Sequence, residues 1–303
     1  GQSVPNFDYS MAPGVKKTYK KLYLTNLGKM IDFLEDTEDG TDRMKALGKK
    51  IEEEYGVYPC MAWDNNYKEI ELEELKKIVP EAEAVKMQEK ATKFADKEIR
   101  RKTYQAMEAL IHNLNTMHSR AGAQVPFSSI NYGTDTSPEG RLVMESVMLA
   151  TEAGLGNGET PIFPIQIFKV KEGVSYNPED PNYDLFKLAC RVSAKRLFPN
   201  FSFLDAPFNK QYYVEGDPNT ECAYMGCRTR VIGNVYDPTR EIVTGRGNLS
   251  FTSINLPRLA IKAKGDVDMF FEGLDRVIDI AIDQLNDRFK IQSQKKVKNF
   301  PFL

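Results

Sequence analysis

The segment Tyr224-Met225-Gly226-Cys227-Arg228-Thr229-Arg230 places one cysteine between a glycine and an arginine. The glycine leaves the sulfur accessible and the arginines make its surroundings electropositive, a setting that favours a reactive sulfur. The alternative is that Cys227 is an ordinary small buried residue, as free cysteines often are. Other chemistries find less support. Cys222 and Cys227 have four residues between them, Cys60 and Cys190 stand alone, and no CxxC pair occurs. His112 and His118 are six apart, a spacing that a helix turns to different sides, so no metal site is expected. Gly154-Leu155-Gly156-Asn157-Gly158 resembles a phosphate loop but follows a predicted helix. A dinucleotide fingerprint follows a strand and opens a helix, so a helix cap and turn is the better reading. Gly245-Arg246-Gly247-Asn248 precedes a predicted strand and fails the same test. No Gly-x-Ser-x-Gly elbow is present. The residue types alone lead to one loop-borne cysteine and stop there.

The elements that must position this loop differ between the two parts of the chain. Residues 10 to about 120 are charged and helix-rich. Ala12-Pro13 precedes a predicted helix over 15–34, whose apolar residues Val15, Tyr19, Leu22, Tyr23, Leu27, Met30 and Leu34 recur every three or four positions. Further helices are predicted over 42–55, 69–79 and 81–118, with an irregular stretch at 56–66 holding Cys60 and Trp63. From about residue 121 the texture changes. Residues 124–132 read as extended, and Ser137-Pro138 carries a capping hydroxyl and a first-turn proline for a helix to Gly154. Strands are predicted over 162–170, 201–204 and 249–255, helices over 183–197 and 273–289, and a loop over most of 208–231. Strand and helix alternate as in βα units, which points to an α/β sheet or barrel behind a helix-rich N-terminal region. The composition shift near 120 is the one boundary candidate.

Composition removes several classes. Lys plus Arg is 41 against 43 Asp plus Glu, so no basic excess exists to drive general nucleic-acid binding by counterion release. With 41% apolar residues and a net charge of −2, disorder is disfavoured. Four cysteines in 303 residues are no disulfide scaffold. The densest apolar stretch, residues 273–285, is interrupted by Asp275, Arg276, Asp279 and Asp283 and is no membrane span. With no secretory leader visible, a cytoplasmic, reducing compartment is the expectation.

Met225-Gly226-Cys227-Arg228, followed 21 residues after the cysteine by Asn248 in Gly245-Arg246-Gly247-Asn248-Leu249, resembles the anaerobic (class III) ribonucleoside-triphosphate reductases. The likeness is long. Residues 1–9, Val15-Lys16-Lys17-Thr18-Tyr19, residues 124–133, Ile162-Phe163-Pro164, Pro181-Asn182-Tyr183-Asp184 and residues 253–258 match in order. Residues 26–80 match less well and read as an insertion within a helix-rich interface and allosteric region at 1–120. Residues 121–303 then form the barrel portion, with the finger loop near 222–230.

The resemblance implies part of a ten-stranded α/β barrel with a finger loop at its centre. It implies anaerobic reduction of ribonucleoside triphosphates to deoxyribonucleoside triphosphates by thiyl and glycyl radicals. Cys227 matches the thiyl position, which abstracts the ribose 3′ hydrogen before the 2′ hydroxyl leaves as water. Met225 and Asn248 match positions found in members that use formate as reductant. Ser128, Ser129 and Asn131 match a strand-end stretch lining the substrate site, with strand-end capping as the alternative role. Lys21 matches a lysine at an allosteric nucleotide site on a dimer interface, where deoxynucleotides or ATP bind; the alternative is a solvated lysine in the run Lys16, Lys17, Lys20, Lys21. The implied partners are a radical-SAM activating enzyme, which uses S-adenosylmethionine and an iron-sulfur cluster to generate the glycyl radical, and a second copy in a homodimer. Neither the family's zinc-binding CxxC pair nor its glycyl-radical loop occurs in these 303 residues. The expectation is therefore a central portion of a reductase, with abrupt ends, no cofactor of its own and no turnover alone. The competing readings are an inert nucleotide-binding or interaction module and a different glycyl-radical enzyme. Members of the pyruvate formate-lyase type carry adjacent loop-tip cysteines, whereas Gly226-Cys227 has one.

Overall fold

The computed structural model describes residues 2–118, 125–226, 229–231, 237, 239, 243 and 250–299. The chain divides into two compact units, one of Ser3–Gly245 and one of Arg246–Leu303 with Gly1–Gln2.

The first unit begins with helices α1 (Phe7–Glu35), α2 (Gly40–Tyr55), α3 (Tyr67–Leu75) and α4 (Glu81–Thr116). Along α1 the residues Val15, Tyr19, Tyr23, Leu27 and Ile31 are buried at intervals of four, which gives one continuous apolar face. The helix starts eight residues earlier than the periodicity predicts and contains Pro13. Proline removes only one intrahelical donor. The first turn is held by long-range bonds instead: Asp8 Oδ2 accepts from the backbone N–H groups of Gly133, Thr134 and Asp135 at 2.9, 3.1 and 3.1 Å.

The sheet follows the helices. Its order is β1 (Gln2–Val4), β2 (Ser128–Tyr132), β3 (Ile165–Val170) and β4 (Asn200–Phe203). β2 pairs with β3 in parallel, Ser129 opposite Ile165, and β3 with β4 in parallel, Ile167 opposite Asn200. α5 (Pro138–Ala153) and α6 (Tyr183–Arg196) are the crossovers, so the alternation expected of βα units is present. The Ser137 hydroxyl caps α5 by accepting from Gly140 N–H at 3.1 Å, with Pro138 at the first position. Every residue of β2 and β3 is buried, as expected of strands covered on both faces. One apolar core runs from α1 and α4 through α5 and α6 into β2 and β3.

Beyond β4 the predicted loop holds α7 (Pro207–Lys210) and a hairpin of β5 (Ala223–Met225) and β6 (Thr229–Val231). The strand predicted from residue 162 starts at Ile165. The N–H groups of Ile162 and Phe163 donate to the Asn115 side chain at 2.8 and 3.0 Å, and Pro164 has none to give.

The second unit contains α8 (Leu256–Ala263) and α9 (Val267–Ser293). Residues 250–255, predicted as strand, are irregular. Their polar groups are taken by helix side chains and caps: Arg288 donates to Phe251 O, Thr252 donates to Gln284, and Asn255 caps α8 by accepting from Arg258 N–H.

Glu71, on α3, is fully buried and accepts from the Tyr23 and Tyr67 hydroxyls and the Gln88 amide at 2.5, 3.0 and 2.9 Å. Burial pushes its carboxyl above the usual carboxylate range. The folded chain therefore holds that proton more tightly than the unfolded chain. This contribution is present in full below about pH 4 and is lost as pH rises through the raised folded value. Glu71→Gln, which does not ionise, should lose less melting temperature than the wild type between about pH 4 and about pH 7. Parallel melting curves for the two proteins would contradict this.

Candidate functional site

The β5–β6 hairpin is antiparallel, with Ala223 opposite Val231, Tyr224 opposite Arg230 and Met225 opposite Thr229. Its two strands therefore flank residues 226–228. Cys227, with Arg228, lies outside the described residues, as does Asn248. What the structure describes is the two strands on either side of Cys227 in the sequence and the residues that hold them.

At the root of the hairpin, Glu221 pairs with Lys169 of β3 at 2.9 Å, and the two side chains are only 4% and 1% exposed. A charge taken that far from water costs several kcal/mol unless it is paired and hydrogen-bonded. Both charges are satisfied. Lys169 Nζ also donates to Asn6 Oδ1 at 2.6 Å, and the Thr134 hydroxyl donates to Glu221 Oε2 at 2.9 Å. Asn6 in turn donates from Nδ2 to Pro218 O at 2.9 Å. Gly133 lets the end of β2 approach the β3 backbone at Lys169. Its φ is +143°, and a Cβ there would stand 2.4 Å from Lys169 O.

Nearer the tip, β2 meets β5. Asn131 Oδ1 accepts from Tyr224 N–H at 2.8 Å, and Asn131 Nδ2 donates to Tyr224 O at 2.8 Å. Ser129 Oγ accepts from Gly226 N–H at 3.0 Å, and the Ser3 hydroxyl donates to Tyr224 O at 3.1 Å. Gly226 has φ +65°, where residues with a Cβ are strained, and the Phe127 ring edge would be 3.2 Å from an added Cβ. Met225 is buried with Ala223, Val231 and Val243. Ser128 has one long contact, its hydroxyl 3.4 Å from Pro126 O.

The fold thus brings Ser129 and Asn131 against the arm that carries Met225, whereas Ser128 alternates to the opposite face of β2. Lys21 is exposed on α1, while its neighbours Lys16 and Lys20 lie over the Tyr58 ring at 4.6 and 6.0 Å. Residues that sequence reasoning missed are Asn6, Asp8, Thr134, Lys169 and Glu221. Lys169 did carry a signal, since it is the one charged residue in the apolar run from Ile162 to Val170.

Burial pushes the thiols of Cys60, Cys190 and Cys222 upward, so these cysteines stay protonated at neutral pH. Burial likewise raises the Asp135 carboxyl, opposed by its bonds to Ser137. No group of three or more His, Cys, Asp or Glu side chains among the described residues could hold a metal ion. The arrangement can hold the hairpin arm, as far as Gly226, against a buried sheet.

A family model described as anaerobic ribonucleoside-triphosphate reductase matches residues 1–303. The anaerobic ribonucleoside-triphosphate reductase of Escherichia coli (strain K12) is 33% identical over 211 residues, which is 69% of this chain and 28% of that protein. The protein of the same name from enterobacteria phage T4 is 32% identical over 213 residues, 69% of this chain and 34% of the phage protein. The chain thus spans about a third or less of the length of the curated relatives it matches.

Breaking the buried pair from one side leaves the other charge unpaired. Lys169→Met is expected to lower unfolding free energy by about 3–5 kcal/mol in urea denaturation. Lys169→Met combined with Glu221→Leu should lose clearly less than that. A double variant as unstable as the sum of the singles would show that the pair is not coupled.

Proposed function

The chain belongs to the family of anaerobic ribonucleoside-triphosphate reductases, and on that premise we propose that Cys227 is the radical-bearing residue for reduction of ribonucleoside triphosphates to deoxyribonucleoside triphosphates. The observation that carries the reading is the hairpin frame: β5 and β6 flank residues 226–228, and β2 side chains bond the β5 backbone up to Gly226.

When present, the family's glycyl radical supplies the acceptor for the hydrogen atom of the Cys227 S–H. The flanking residues fit that role. Met225 is buried among apolar neighbours and brings no ionisable group, and the thiol nearest in sequence, Cys222, is buried and held protonated. At the substrate, the Cys227 sulfur takes the ribose 3′ hydrogen as an S–H bond forms and the 3′ C–H bond breaks. The 2′ C–O bond then breaks and the hydroxyl leaves with a proton as water. Formate gives up its hydrogen with two electrons, so that a 2′ C–H bond replaces the 2′ C–O bond, and leaves as carbon dioxide; the sulfur returns its hydrogen to the 3′ carbon. Hydrogen transfer is reversible because S–H and ribose C–H bonds are close in strength. In this reading Met225 and Asn248 line the formate site, where an amide can donate to the small anion and a thioether does not compete as a thiol. The loosely engaged Ser128 hydroxyl is available to a ribose or phosphate oxygen.

The same reading assigns the parallel sheet to a ten-stranded barrel and residues 1–120 to an interface and allosteric region with an insertion at 26–80. Lys21 would be a point charge for the triphosphate of a deoxynucleotide or ATP effector. A homodimer, a radical-SAM activating enzyme, a zinc site and a cytoplasmic location complete it. No described helix is long and apolar enough to cross a membrane.

The test is Cys227→Ser in the activated reductase that carries this sequence. Deoxynucleotide formation is expected to fall to background while ribonucleotide binding is retained. Turnover that survives the substitution would overturn the proposal and favour an inert nucleotide-binding module.

A further inference from the structure

Ser129 and Asn131 are two residues apart on β2, so their side chains leave the same face of the strand. Tyr224 and Gly226 are two residues apart on the arm that crosses that face. The two spacings match, and the result is a ladder in which side chains of β2 replace one strand's backbone. Asn131 is fully buried. Its Oδ1 accepts from Tyr224 N–H, and its Nδ2 donates to Tyr224 O at 2.8 Å and to Val4 O at 3.4 Å. Both amide hydrogens are used within the protein, and none is left for a ligand. Ser129 is 1% exposed, and its oxygen accepts from Gly226 N–H, which aims it at the arm and away from solvent. Ser128 alternates to the other face of β2 and makes no bond to the described residues of the arm.

We infer that Ser129 and Asn131 are positioning residues that fix the hairpin arm leading to Cys227, and that they are not contacts to substrate. The inference rests on the assignment of Cys227 as the reacting residue. Because these bonds go to main-chain atoms, they place the arm whatever side chain stands at 224. They reach the residue immediately before Cys227. Hydrogen bonds that hold a reacting group within a fraction of an ångström raise turnover without strengthening substrate binding.

The experiment has two readouts, both on the whole protein. Amide hydrogen exchange is followed by mass spectrometry in peptides covering 222–226 and, as a reference, β3. Ser129→Ala and Asn131→Ala are expected to speed exchange in 222–226 by about tenfold while β3 exchange is unchanged. Ser129→Thr, which keeps the accepting oxygen, should restore the slow rate. In the activated enzyme the alanine variants should lower kcat, with KM for the ribonucleotide within about twofold of wild type. Unchanged exchange in 222–226, or exchange that rises equally in β3, would overturn the positioning role. So would a raised KM at unchanged kcat, which marks a substrate contact. The exchange readout does not depend on turnover. Failure there leaves the role of Cys227 standing, whereas an active Cys227→Ser protein would remove that role and leave the exchange result in place.

Discussion

Three residues on each side of a turn bury too little surface to hold a hairpin in one place. The β5–β6 hairpin is of that size, so its position depends on the bonds that Asn131 makes to both backbone groups of Tyr224. An amide side chain presents a donor and an acceptor in one plane, as a peptide group does, and can substitute for a neighbouring strand. β2 in turn is rigid because it is buried along its length and paired in parallel with β3. The order of dependence runs from packed sheet, to buried polar side chains, to the hairpin arm as far as Gly226.

Charge burial supplies the second constraint. Lys169 sits in a strand with no access to water, which obliges the chain to bring it a carboxylate and a further acceptor. Glu221 and Asn6 come from segments far apart in sequence, and meeting this requirement draws both to the end of β3. Asp8 acts alike at the end of β2, where three consecutive backbone N–H groups surround its carboxylate. The N-terminal segment, the strand ends and the root of the hairpin are thus joined by the same cluster of polar groups. Such a cluster gives geometry more than it gives stability, because the desolvation of each charge offsets much of the attraction.

Local patterns made part of this legible. The Ser137-Pro138 pair marks the start of α5, and apolar periodicity marks the buried face of α1. Long-range bonds decided where local reading failed. Asp8 extends α1 back past Pro13, Asn115 takes the donors that would have lengthened β3, and α9 side chains hold residues 250–255 out of any ladder. The hairpin escapes local reading because its strands are only three residues long and owe their shape to β2. At the site, Cys227 stood out through its glycine and arginine neighbours and through the family resemblance. Ser129 and Asn131 were recognisable as strand-end polar residues, but their types suit a ligand, a cap or a neighbouring backbone equally well. Lys169 was visible as a charge in an apolar run, whereas nothing local to Glu221 names its partner.

The central claim is that the sheet holds the hairpin arm still up to the residue before Cys227. Backbone 15N relaxation at the Gly226 amide tests it most directly. A Gly226 N–H bonded to Ser129 should show an order parameter near that of a rigid backbone, about 0.85, equal to the amides of β2 and β3. A value below about 0.6, typical of a flexible loop, would contradict the account.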